Sequence, residues 1–485
     1  MAAPSIVAPP RPRHPRSPRL HRPEAKGRID LIRLSLCVVL VFNVSHIHEA
    51  YPILAAIRPA LTLTLLALVA AILGRKSLAR PYWIRYPLTK ILMGLAAASL
   101  ASIVFGISQG ASFWYFESDY SKVLVGCALL MAAIRSPKDL RLFVWAYVVG
   151  TAALVYMALF MFSMVAESNG ITRLSGLDTW DANDIGVLLL IGLAFCMLLL
   201  RTTGAKGKIA AGIITAGVAT AMAHSGSRGG FIGLICVLLA YLASLKGVSV
   251  FRRVGVVVAV VGGVTLAAPT GYWHQMNTIL NPKEDYNWDA PQGRRELAIR
   301  GAGYMMSYPV FGIGVGNFAR AEGTISPLAG QQGIRWSAPH NTYIQAGAEL
   351  GIPGFLLFIS LVIGCIVVPW RLRARIPHAW ARGTPDERFM FQTALYLPLA
   401  AIGFAIPAYF VSFAYADPLY VIVAFTAGLR YCVDMQLGPP TRPAANRGAA
   451  RRIVRRRGAV RPVPKPTVTG SARPEPILPR PVASR

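Results

Sequence analysis

Apolar runs of roughly 17–25 residues, the length a helix needs to cross a bilayer, alternate along the chain with short polar connections. They predict about twelve spans, near residues 30–47, 53–73, 88–107, 121–134, 142–165, 184–200, 207–224, 229–245, 251–269, 341–369, 389–411 and 415–433. The run at 121–134 is the shortest. Within each run the apolar residues are continuous and do not alternate with period two, which argues against an outer-membrane barrel. The expected fold is all-α and multi-spanning.

One connection departs from this pattern. Residues 270–340 form a long polar stretch containing Trp273, Trp288 and Trp336. Leu297, Gly301 and Tyr304 recur there at helical spacing and predict a helix over Gln292–Ser307. Long loops in compact folds are functional or disordered, and this one holds too many aromatic and apolar residues for disorder. The expected division is a disordered basic tail at 1–29, nine spans over 30–269, the large loop at 270–340, three spans over 341–433, and a second disordered, basic, Pro-rich tail at 434–485.

Composition agrees with this picture. Of 485 residues, 54% are hydrophobic and 15% charged, and mean hydropathy is +0.48. An ordinary soluble domain is about 25% charged, so a single soluble globular domain is excluded. The net charge of +29 raises the question of nucleic acid. Seven Lys/Arg lie in residues 1–30 and twelve in 441–485, so the tails hold 19 of the 50. With nothing folded beside them, tails of this kind are expected to rest on anionic membrane lipid rather than nucleic acid. The six cysteines all fall in apolar runs, with no spacing that suggests zinc or a disulfide. Residues 1–30 have no apolar core of a signal peptide, and the first run is not followed by a small-residue cleavage site.

Lys/Arg placement orients the spans. Alternate connections carry Arg75, Lys76, Arg80 and Arg85; Arg135, Lys138 and Arg141; Arg201, Lys206 and Lys208; Lys246, Arg252 and Arg253; and Arg371, Arg373, Arg375, Arg382 and Arg388. The opposite connections carry Glu49, Glu117, Asp119, Asp178 and Asp181 instead. Both termini and the basic connections are therefore expected in the cytoplasm, and the large loop outside, with six Lys/Arg of its own.

The chemistry-bearing residues gather on that outer side. His340 stands in Ser337-Ala338-Pro339-His340-Asn341-Thr342, where Pro339 suggests a helix start. A helix N-terminus disfavours imidazolium and would keep His340 neutral, as a base; the plainer reading is an interface histidine bonded to backbone. Arg228, in Ser225-Gly226-Ser227-Arg228-Gly229-Gly230, is a lone arginine among small residues in a short outer connection. A guanidinium fork matches phosphate oxygens; the alternative is a snorkelling side chain. Arg294, Arg295 and Arg300 on the loop helix, with Arg173 and Asn183 in another outer connection, could join it around a diphosphate; each taken alone reads as a solvated loop charge. Gly312-Ile313-Gly314-Val315-Gly316 reads as a tight backbone turn, because no strand–turn–helix unit surrounds it. Glu117-Ser118-Asp119 reads as an acidic outer loop or, less readily, a cation site. Glu349 is a carboxylate within a span and a functional candidate on that ground. There is no phosphate-binding Walker loop and no Ser-His-Asp arrangement.

Taken together, these residues resemble a known family. His340-Asn341 followed after nine residues by Gly351-Ile352-Pro353-Gly354 resembles the hallmark of the O-antigen ligase/O-antigen polymerase family. Ser227-Arg228-Gly229-Gly230-Phe231 is similar to its Ser-Arg-Gly-Gly segment. Gly293-Arg294 with Tyr308-Pro309-Val310-Phe311-Gly312-Ile313-Gly314-Val315-Gly316-Asn317-Phe318 is similar to its loop segment. Asp181-Ala182-Asn183 resembles its Asp-Pro-Asn turn, with Ala where Pro is common. The resemblance covers roughly residues 30–433, and its specific motifs lie in 225–355.

The resemblance implies a fold similar to the GT-C glycosyltransferases, in a bacterial inner membrane, with the large loop and active site facing the periplasm. It implies transfer of a glycan from undecaprenyl diphosphate to an acceptor hydroxyl, on lipid A-core in a ligase, on another lipid-linked repeat in a polymerase of O-antigen, capsule or exopolysaccharide, or on a protein serine. It implies His340 as base, Arg228 and Arg294 as the diphosphate clamp, and Arg173, Asn183, Arg295, Arg300 and Asn341 as substrate contacts, with no cofactor or metal. A transporter of lipid-linked glycans is the reading from another class; such proteins show internal repeats and broken helices, and no repeat is evident here.

Overall fold

The computed structural model describes residues 30–73, 84–166, 172–175, 180–245, 247–281, 293–330 and 336–438. Both expected tails lie outside the described residues, apart from 434–438. The helices, in chain order, are α1 (Leu31–Ser45), α2 (Pro52–Ile57), α3 (Pro59–Leu73), α4 (Pro87–Phe105), α5 (Gln109–Tyr115), α6 (Ser121–Ala133), α7 (Pro137–Phe160), α8 (Ala182–Thr202), α9 (Ala205–Ser225), α10 (Arg228–Ser244) and α11 (Val250–Ala267). They continue with α12 (Tyr272–Asn277), α13 (Arg294–Ser307), α14 (Phe318–Thr324), α15 (Thr342–Arg375), α16 (Pro385–Ala405) and α17 (Asp417–Leu437). A π-helical turn at Phe116–Tyr120 joins α5 to α6.

All of the apolar runs are helical. Eight stretches are long and apolar enough to cross a membrane, namely Pro52–Leu73, Pro87–Phe105, Pro137–Phe160, Ala182–Thr202, Val250–Ala267, Thr342–Arg375, Pro385–Phe410 and Asp417–Leu437. The helices of the other runs, α1, α6, α9 and α10, are shorter or less apolar. Helix starts follow local chemistry. Pro occupies the first turn of α4, α7 and α16, where its missing N–H costs nothing. Asp181 with Asp184, and Thr384 with Glu387, form reciprocal caps on α8 and α16.

The helix ends sort into two sets. At one end, Arg33 meets Asp139, Arg135 meets Asp30, Arg141 meets Asp386, and Arg375 meets Asp434. At the other, Arg173 reaches Asn183 and Ser225, Arg228 reaches Thr278, and His340 reaches Ser412. This grouping is what an alternating path through a bilayer produces. The central helices are α8, α16 and α17, whose side chains are mostly buried; of α11 only Val264 is.

Two features of the fold position the site. The first is a short hairpin, β1 (Met164–Ala166) antiparallel to β2 (Thr172–Leu174), with Val165 opposite Arg173. The second is a break in α15. At Gly351 the backbone takes φ 70° and ψ −173°, a region only glycine enters readily. The carbonyls around the break are taken by the loop before it: Ile313 N–H donates to Ala348 O (2.9 Å) and Gly314 N–H to Glu349 O (3.1 Å), while Ile352 N–H donates to Pro309 O (2.8 Å). Gly312, Gly314 and Gly316 all have positive φ, so the glycine segment is the tight turn its spacing suggests. The buried Glu349 carboxylate completes the join, accepting from Gly316 N–H (2.9 Å) and Phe318 N–H (3.1 Å).

The described part of the large loop packs with α15 around an apolar cluster. Leu297, Tyr304, Ile313, Phe318, Ala321 and Ala348 are buried together. The expected helix is present as Arg294–Ser307, with Leu297, Gly301 and Tyr304 on its buried face.

Gly351→Ala should force a side chain into this seam, where a Cβ would stand 2.7 Å from Pro309 O. A loss of about 1–3 kcal/mol is expected from the backbone region alone, read as a lower thermal midpoint of the detergent-solubilised chain. Gly262→Ala on α11, where a Cβ meets nothing within 4 Å, should leave the midpoint unchanged or raise it.

Candidate functional site

The starts of α8, α10, α13 and α15 carry the residues singled out in the sequence, and the structure links them in two adjoining groups. In the first, Ser227 caps α10, its Oγ accepting from Gly230 N–H at 3.1 Å. The same Oγ donates to Asn183 Oδ1 at 3.1 Å. Arg173, delivered by β2, donates to the same Asn183 oxygen (3.4 Å) and to Ser225 O (3.3 Å). Gly186 and Gly230 let α8 and α10 approach closely enough for this: a Cβ on Gly186 would stand 3.5 Å from the Gly230 Cα. Arg228 follows Ser227, and its Nη1 donates to Thr278 Oγ1 at 2.9 Å. Thr278 is fixed in turn by donating to Gln275 O (2.8 Å).

The second group centres on His340, which is half-buried. Its backbone has φ 45°, in the left-handed region, and its N–H donates to Ser412 Oγ at 3.0 Å. The segment after α16 is laced to the start of α15 by Thr342 Oγ1 to Val411 O (2.8 Å) and by Ala414 N–H to Gln345 Oε1 (3.1 Å). Burial holds the His340 imidazole below its usual pKa, the Arg294 guanidinium adds to this, and Asp181 opposes it. This direction favours the neutral imidazole. The causes are desolvation and a neighbouring cation rather than the helix N-terminus: Asn341 is the cap, and His340 lies one residue outside it. Arg294 also acts on Asp184 at the start of α8, which joins the two groups.

The other expected contacts have different partners. Asn341 is buried, and its Oδ1 accepts from Tyr343 N–H (3.0 Å) and Ile344 N–H (3.1 Å); its geometry is that of a helix cap rather than a substrate ligand. Arg300 grips Glu322, with Nε 3.0 and 2.9 Å from its two oxygens and Nη2 2.6 Å from one of them. Tyr304 Oη adds a bond of 2.8 Å to the same carboxylate. That fork is engaged within the loop and ties α13 to α14. Arg295 is exposed and pairs with Glu296 at 2.6 Å. Glu349, a functional candidate in the sequence, holds the backbone seam. Glu117 and Asp119 are exposed on the π-helical turn, where Ser118 Oγ donates to Asp119. All six cysteines are free.

Sequence reasoning missed Gln275 and Thr278. Gln275 is buried, and its Oε1 has no hydrogen-bond partner among the described residues. It lies against Gly226, where a Cβ would stand 2.9 Å from it. No motif marks these residues; they are found only by following Arg228 outward.

The arrangement brings an imidazole held below its usual pKa, with Arg294 acting on it, and the Arg173 and Arg228 guanidinium groups to one end of the helices. Such a site can take a proton from a hydroxyl and stabilise an anionic leaving group. Residues 213–359 match the family model for O-Antigen ligase. The match bears out the resemblance to the O-antigen ligase/polymerase family over a segment that holds Arg228, Arg294, Arg295, Arg300, His340 and Asn341; Arg173 and Asn183 lie before it. No curated protein matches the chain.

The His340 titration is open to direct test. Neutral imidazole reacts with diethyl pyrocarbonate and imidazolium does not, so labelling of His340, read by peptide mass spectrometry, should have its midpoint below the usual value of about 6.5. Arg294→Gln removes a cation that opposes protonation and should move the midpoint up, whereas Arg294→Lys should not. A midpoint unmoved by Arg294→Gln would sever the two residues.

Proposed function

We propose that the chain is a membrane glycosyltransferase of the O-antigen ligase/polymerase type. In this reading it moves a glycan from undecaprenyl diphosphate onto an acceptor hydroxyl of lipid A-core, at the periplasmic face of the bacterial inner membrane. The observation that carries it is the pairing of His340 with Arg294 beside the Arg228–Arg173–Asn183 group, within and next to the segment that matches O-Antigen ligase.

The chemistry is a displacement at the anomeric carbon of the donor sugar. The acceptor oxygen attacks that carbon, the bond from the carbon to the diphosphate oxygen breaks, and diphosphate leaves with the electron pair. His340 takes the proton from the acceptor hydroxyl. Diphosphate leaves readily only where its developing charge meets fixed cations. Arg228 and Arg294 fill that role, with Arg173 as a third cation and Asn183 as its anchor. A point charge on a flexible stem does not replace a guanidinium fork. Asn341, through its cap, and Arg300, through Glu322, act by positioning His340 and the loop. The basic tails rest on anionic lipid of the cytoplasmic leaflet.

In a strain lacking the gene, complementation with wild type should restore glycan transfer and His340→Ala should not, at equal amounts of protein in the membrane. Arg228→Lys should lose about a hundredfold or more, in line with removing one preorganised donor. Gel separation of lipopolysaccharide and of undecaprenyl-linked glycan reads both pools. Long glycan accumulating on undecaprenyl above bare lipid A-core supports a ligase. Single repeats in both pools indicate a polymerase. Normal transfer by His340→Ala removes the base from the mechanism.

A further inference from the structure

At the same end of the helices as His340, the chain leaves α1 through His46-Ile47-His48-Glu49. The ligand atoms of His46, His48 and Glu49 all lie within 4.8 Å of one another. His46 Nδ1 stands 2.6 Å from Glu49 Oε1. The two imidazoles are 5.3 Å apart between centroids. None of the three is needed for the transfer chemistry, and none belongs to a motif of the matched segment at 213–359.

We propose that His46, His48 and Glu49 form a binding site for one divalent transition-metal ion of the zinc type. Two imidazole nitrogens and one carboxylate oxygen suit such an ion, and three protein ligands leave a coordination position for water.

Three observations support the site. His48 Nδ1 is buried and has no hydrogen-bond partner among the described residues, although a buried polar atom ordinarily has one. His46 sits at φ 50°, in the left-handed region, which costs about 1–2 kcal/mol in a residue with a side chain. The turn that imposes it, His46 N–H to Phe42 O (2.8 Å) and Glu49 N–H to His46 O (2.9 Å), brings Glu49 back over His46. Finally, a second carboxylate stands nearby: Asp417, at the start of α17, is bonded to the Asn43 side chain and interacts electrostatically with His46, and outer carboxylates commonly support ligating imidazoles.

The ion would also hold the transfer site's edge in place. His46 packs edge-on against Trp180 at 4.6 Å, and Trp180 against Phe413 at 5.0 Å. Phe413 follows Ser412, which accepts from His340 N–H. The role is structural and touches no reacting atom.

The test uses the full chain in detergent, stripped with EDTA and titrated with Co2+, then with Zn2+ in competition. One equivalent of Co2+ with visible d–d absorption, displaced by Zn2+, is expected. His48→Gln should weaken binding by about 100-fold or more, beyond the usual cost of losing an outer-shell partner, while its metal-free melting midpoint stays at that of the metal-free wild type. Should His48→Gln fail to fold, the wild type still decides the matter through Trp180: Co2+ should quench fluorescence that is absent from Trp180→Phe, with the same saturation point as the absorption. Less than one equivalent bound by wild type, binding unchanged in His48→Gln, or quenching unrelated to Trp180 would each overturn the site.

Discussion

A carboxylate buried in an apolar interior is costly unless hydrogen bonds satisfy it, and Glu349 turns that cost into architecture. Its two oxygens accept the N–H groups of Gly316 and Phe318, and the carbonyls of Ala348 and Glu349 take those of Ile313 and Gly314. A helix that ran unbroken would have spent those carbonyls on itself. The break at Gly351 frees them, and the glycine-rich segment is bent so that its donors reach them. The loop cluster of Leu297, Tyr304 and Phe318 therefore stands on α15 itself, and α15 begins two residues after His340. His340, loop and helix are thereby joined by main-chain bonds together with the two bonds to the Glu349 carboxylate.

The two kinds of legibility in this chain have different physical origins. The helices were readable because crossing a bilayer imposes length and apolarity on a contiguous stretch, and contiguous properties survive in a linear sequence. So were His340 and Arg228, whose neighbours Pro339, Asn341, Ser227 and Gly229 announce a helix start and close backbone approach. Partners far apart in sequence were not. Arg300 and Glu322 are separated by 22 positions, and nothing local tells a gripped arginine from one awaiting phosphate. Asn341 is a different case: Asn before a helical run is a frequent cap, and that bland role is the one its geometry shows. Glu349 had been marked by its rarity in a span, yet its acceptors point to backbone. Thr278 and Gln275 carried no signal of any sort.

Charge at the two ends is handled differently. At the end of Asp30 and Asp139, arginines meet carboxylates in ion pairs. At the end of His340, Arg173 and Arg228 are steadied by neutral oxygens, those of Asn183, Ser225 and Thr278. A neutral partner fixes the direction of a guanidinium through hydrogen bonds alone. Four helix starts add their own partial charge in the same sense.

The left-handed backbone at His340 bears on timing. A residue between proline and a capped helix, with its own N–H tied to Ser412, has little rotational freedom left to lose. The backbone that carries the imidazole is thus set when the chain folds. With His340 as the proposed base, its backbone would need no ordering on encounter with a hydroxyl, which would lower the entropy cost of the proton transfer.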